Sequence, residues 1–199
     1  MCALTHKKLL GGVSVDFKAD FTVQINCEAM KKNHIKLMCI SGIFSALVFV
    51  ITAYLHVPTY NGYVHFGDGF IFLAACILPM PYSIIVGVVG SMLADLLTGF
   101  AIWAPGSMII KGVLALLFSY KAKKIVTARN LIMLLPAALI SAGGYYLYEA
   151  LITRSFVASL AGIPGSLIQA AASSIVFVVA GLVMDAYNVK KKMLGDYSK

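Results

Sequence analysis

HFGDGFIFLAACILPMPYSIIVGVVGSMLADLLTGFAIWAPGSMIIK, residues 65–111, packs three apolar runs around three ionisable side chains, Asp68, Asp95 and Lys111. Each run is too poor in charge to form a soluble surface. A charge placed in lipid costs at least ~2.5–3.5 kcal/mol even on the lenient insertion scale. A chain keeps such groups where they pair with one another, line a wet cavity or hold a ligand. The rest of the sequence reads as the walls and anchors of that arrangement.

Composition agrees. Of the 199 residues, 60% are hydrophobic and 12% charged, and the mean hydropathy is +0.89. A soluble domain carries roughly 25% charged residues. The length suits one membrane domain. The net charge is +8, but the Lys and Arg residues cluster beside apolar runs, which points to membrane topology and away from nucleic acid. The four cysteines, Cys2, Cys27, Cys39 and Cys76, have no CxxC spacing and read as buried or incidental thiols. Residues 1–29 contain no apolar core of signal-peptide length.

Six apolar segments follow, at 37–57, 66–78, 82–100, 104–120, 131–152 and 166–187. A straight span needs ~20 residues, so the second is short, and Pro79-Met80-Pro81 closes it. An open strand cannot satisfy its backbone in lipid, so the expected class is an all-α membrane protein with six transmembrane helices. Lys31, Lys32 and Lys36 precede the first segment. Lys121, Lys123, Lys124 and Arg129 lie between the fourth and fifth, and Lys190, Lys191 and Lys192 follow the sixth. The opposite loops hold Arg154 alone, which places both termini in the cytoplasm. The expected organisation is a polar stretch over 1–29, either an extension upstream of a natural start at Met30 or a short cytoplasmic tail, then a membrane domain over 30–192 and a cytoplasmic tail over 193–199.

The intramembrane polar residues gather toward the outer face, Asp185 apart. A channel or proton relay needs polar groups through the full depth, so an outward-facing pocket fits better. Asp95 and Lys111 lie on segments joined by a short loop, as a structural ion pair or as contacts to a solute. Asp68 is a helix N-cap or a ligand contact. His65 and Tyr63 stand at the mouth, beside an Asn61-Gly62 turn that forms a plain loop or a lid. Trp103, Tyr145 and Tyr148 supply aromatic faces, and interfacial anchoring explains tyrosines equally well. Glu149 needs water, Arg154 or a ligand, and Gln169 sits one turn into the last segment. Gly42 and Ala46, four residues apart in the first segment, let a helix approach closely, either inside the bundle or against another membrane protein. Motifs for ATP hydrolysis, zinc proteolysis or serine hydrolysis are missing; no catalytic residue, metal site or cofactor is expected.

The run from Gly67 to Gly112 resembles the signature region of S components of energy-coupling factor (ECF) transporters, most closely the riboflavin and hydroxymethylpyrimidine type. The matching elements are Gly67-Asp68, Gly90-Ser91-x-x-Ala94-Asp95, Gly99, Trp103-Ala104-Pro105 and Ile110-Lys111-Gly112. Pro79-Met80-Pro81 departs from the Gly-Pro turn expected there. The resemblance covers about residues 30–192. It implies a multi-pass protein of the bacterial cytoplasmic membrane that captures a vitamin or precursor, such as riboflavin, hydroxymethylpyrimidine or a pyridoxine-like molecule. It also implies a membrane scaffold subunit and two ATPase subunits as partners, a toppling motion in the bilayer, and Gly42/Ala46 as the contact to the scaffold. A stand-alone secondary transporter of a small heteroaromatic solute is the alternative, and an intramembrane enzyme using Asp95, Lys111 and Glu149 ranks below it. A flat heteroaromatic ring suits Trp103 and the tyrosines.

Overall fold

The structure, a computed structural model, describes residues 17–195 apart from Tyr60 and Asn61, and side chains over 33–57 and 64–195. Residues 1–16 of the expected extension, residues 196–199 of the expected tail, and the Tyr63 side chain lie outside the described residues. The chain divides into two units, Met1–Cys39 and Ile40–Lys199. In the first, helix α1 (Phe17–Tyr54) begins at Phe17, so part of the stretch expected to be weakly patterned is helical.

In the second unit α1 ends at Tyr54, and strands β1 (His56–Thr59) and β2 (Gly62–His65) pair antiparallel. This adds one short hairpin to a chain that is otherwise mostly helical, as expected. Val57, assigned to the first span, lies in β1. Thr59 pairs with Gly62, and Asn61 of the expected turn lies outside the described residues. Neither strand, HVPT nor GYVH, alternates strictly between apolar and polar residues, so the sequence carries no strand signal there.

Helix α2 (Gly67–Ile77) follows, and every residue in it except Phe70 is buried. A helix apolar on all sides belongs in the interior, and α2 packs against α3, α4 and α8. Pro79 ends it by forcing Leu78 into the extended region (φ −90°, ψ 146°). Pro81 starts helix α3 (Met80–Leu97), Pro105 helix α4 (Ala104–Leu117) and Pro164 helix α8 (Ile163–Ala186); a missing N–H costs nothing in a first turn.

Helix α3 turns into α4 through Gly99, at φ +87°. The Phe100 N–H donates to the Asp95 carbonyl at 2.9 Å, the bond that closes a left-handed glycine cap. A short 3-10 turn (Ala101–Trp103) then leads into α4. Gly87 lets α3 and α4 touch: a Cβ there would stand 2.9 Å from the Lys111 carbonyl oxygen. Helices α5 (Ala128–Ile132), α6 (Leu134–Thr153), α7 (Phe156–Ser159) and α9 (Val189–Leu194) complete the chain.

Among the described residues, four helical stretches are long and apolar enough to cross a membrane: Asn33–Tyr54, Met80–Leu97, Ala128–Thr153 and Phe156–Ala186. Gly67–Ile77 and Ala101–Leu117 are apolar but shorter. The bounds agree with the sequence expectation to within a few residues at most ends. Phe72, Phe118 and Phe177 form an aromatic layer, with centroids 4.5 Å apart for Phe72–Phe118 and 5.4 Å for Phe118–Phe177. It lies one helical turn along α2 from Asp68.

Candidate functional site

Lys111 and Asp68 form the centre. Lys111 is 1% exposed. Its Nζ lies 2.6 Å from Asp68 Oδ1 and donates to Oδ2 at 2.8 Å. The expected partner of Lys111 was Asp95; the carboxylate against the ammonium belongs to Asp68 on α2. A short loop makes α3 and α4 neighbours, but helical phase decides which side chains meet. Asp95 is buried on α3. Lys111 points to the side of α4 where α2 packs.

Gln169 joins the pair from α8, donating from Nε2 to Asp68 Oδ2 at 3.1 Å. Its Oε1 accepts the His65 backbone N–H at 3.4 Å. The His65 ring Nδ1 accepts the Gly67 N–H at 3.1 Å, on the first residue of α2. Burial pushes the His65 imidazole down to about 3, outweighing the attraction of Asp68, so the ring is neutral at ordinary pH.

Helix α6 closes the fourth side. The Lys111 ammonium sits 4.9 Å from the centroid of the Tyr145 ring, a cation–π distance. Trp103 lies 6.2 Å from Tyr145 and 6.0 Å from Tyr148, ring centre to ring centre. Tyr148 donates to the Ile102 carbonyl at 2.8 Å, and its ring packs where a Cβ on Gly106 would stand 2.5 Å away. Ser107, which sequence reading missed, meets the Tyr145 hydroxyl at 3.1 Å. Its position one turn before Lys111 on α4 was the available signal.

His65, Asp68, Lys111, Gln169, Tyr145, Trp103 and Tyr148 are therefore linked through direct contacts. Glu149 is buried lower in exposure than its tyrosine neighbours and faces Gly162, where a Cβ would meet its Oε2 at 2.4 Å; this places it at the α7–α8 turn. Among the described residues, no group of three or more His, Cys, Asp or Glu could hold a metal ion. Gly42 and Ala46 are exposed on α1, and Ser41 and Ser45 beside them are buried. Space around Gly42 is open.

The family described as ECF-type riboflavin transporter, S component, matches residues 32–186. The chain belongs to this S-component family. A solved structure described as "Structure and mechanism of the S component of a bacterial ECF transporter" has the same fold: TM-score 0.60, 21% identity, 79% of this chain and 98% of that one covered. No curated protein gives a significant match. S components are the substrate-binding membrane subunits of ECF transporters and not enzymes, which removes the intramembrane-enzyme alternative. They work with membrane scaffold and ATPase modules and bind small vitamin-like substrates.

Proposed function

We propose that this S component captures a flat heteroaromatic vitamin or vitamin precursor, of the riboflavin, hydroxymethylpyrimidine or pyridoxine type, between α2, α4, α6 and α8. The observation that carries the reading is the buried Lys111–Asp68 pair with Gln169 and the Tyr145 ring on it. Ammonium, carboxylate and carboxamide side by side offer donors and acceptors in alternation, as the polar edge of a nitrogen heterocycle requires. Trp103, Tyr145 and Tyr148 offer faces to stack on its plane. A few convergent polar groups in an otherwise apolar site are the usual make-up of a small-molecule pocket. Tyr63, Asp95 and Glu149 are further candidates.

In this reading the chain crosses a bacterial cytoplasmic membrane six times with both termini inside, α2 and α4 crossing together with their flanks. The site then opens outward and the Phe72–Phe118–Phe177 layer closes it below. The exposed Gly42 and Ala46 dock a scaffold subunit that is driven by two ATPase subunits.

The test is titration of purified protein with riboflavin, hydroxymethylpyrimidine and pyridoxine, followed by the fluorescence of Trp103, the one tryptophan. Saturable binding of one is expected; binding of none overturns the reading. Gly42→Leu should bind like the parent and fail to support uptake in cells that carry the partner subunits. Loss of binding in that variant would return the glycine to internal packing.

A further inference from the structure

His65 is where the β1–β2 hairpin meets the helices. Its backbone N–H is held by Gln169 of α8, and its ring Nδ1 holds the Gly67 N–H. Gly67 opens α2, where a backbone N–H has no partner within the helix. Across the hairpin, His56 is paired with His65 in register. Gln169 carries the connection on to Asp68 and so to Lys111.

We propose that His65 is a positioning residue that clamps the β1–β2 hairpin onto α2 and α8 while its ring is neutral, and releases it when the ring takes up a proton. Nδ1 accepts the Gly67 N–H only through its lone pair; protonation turns it into a second donor facing that N–H. The positive N-terminal end of α2 opposes the charge as well. His56 from β1 and Lys111 from α4 repel a charged ring, and Asp68 from α2 attracts it. Asp68 is already engaged by Lys111 and Gln169, and α8 presents the neutral Gln169.

The sign follows from burial. The clamped ring titrates at about 3 and a released one near 6.5. The released state binds more protons, so clamping is complete above about 6.5 and weakens ~tenfold for each pH unit below that, down toward 3.

The experiment is amide hydrogen exchange by mass spectrometry on the full chain in lipid nanodiscs without any ligand, so its outcome is independent of what the site binds. After correction for intrinsic rates, protection over 62–67 should fall ~tenfold between pH 6 and pH 5, while α3 stays unchanged. His65→Asn places an acceptor near the same N–H in an Asx turn, and should keep protection at pH 7 without the fall. Flat protection in the parent overturns the proposal. So does an undiminished fall in His65→Asn, or its abolition by His56→Gln alone.

Discussion

The two ends of α2 handle charge differently. At its start, Asp68 and Lys111 are spent on each other and on Gln169, side chain to side chain. At its end, charge is spent on backbone. Asp185 accepts the Ile125 and Val126 N–H groups at 2.8 and 2.9 Å. The Lys190 ammonium donates to the carbonyls of Cys76, Tyr120 and Ala122. Asn130 accepts from the Ser119 N–H and donates to the Ile125 carbonyl. A side chain that satisfies backbone groups cannot leave without orphaning them. A side chain held by other side chains can exchange its partner for a ligand's polar edge. The side-chain arrangement at the start of α2 suits a site and the backbone arrangement at its end a structural clasp, and the Phe72–Phe118–Phe177 layer lies between the two.

The sharpest way to break this contrast is at Lys111. Lys111→Met strands the Asp68 carboxylate, and removing one partner of a buried pair costs ~3–5 kcal/mol. Replacing both, Lys111→Met with Asp68→Leu, should restore most of the melting temperature, because an apolar pair is often neutral. The double variant should nevertheless fail to bind in a Trp103 titration. A double variant that binds like the parent would make the pair structural and erase the difference between the ends.

The opposite end should give the opposite pattern. Asp185→Ala leaves two N–H groups without their acceptor and should cost ~2–3 kcal/mol, the range for charge-assisted hydrogen bonds. Thermal melts should show that loss, and affinity per folded molecule should hold within about twofold. A tenfold loss of affinity at unchanged stability would mean that the clasp belongs to the site.

The sequence shows one end far better than the other. Pro79, Pro81, Gly99 and Pro105 punctuate the chain where the helices begin and end, and rare charges in apolar runs marked Asp68 and Lys111 as candidates. Their pairing was hidden, since loop length makes α3 the neighbour of α4 and says nothing of which face α2 covers. Lys190 read as one of three basic residues flanking a span. Nothing local distinguishes a lysine that turns back onto carbonyls from its neighbours Lys191 and Lys192. Asn130 was likewise invisible, because its partners lie on distant segments: Cys76 Sγ stands 3.1 Å from its Nδ2.

Ser107 gives the finest test of whether the site end is held loosely enough to exchange partners. Its hydroxyl meets the Tyr145 hydroxyl at 3.1 Å, and Tyr145 carries the ring under the Lys111 ammonium. Ser107→Ala removes one neutral hydrogen bond, worth about 1 kcal/mol net, and leaves the ion pair intact. If the tyrosine ring is oriented for a ligand, that loss should appear as an affinity about fivefold weaker per folded molecule, whatever the melting temperature does. Tyr145→Phe should reproduce the effect, and the two changes combined should do no more than either alone, since both delete the same bond. Additive losses would mean that each hydroxyl meets the ligand by itself. A full loss of stability in Ser107→Ala, with affinity preserved, would show instead that this bond clasps α4 to α6, and that the two ends of the bundle are built alike.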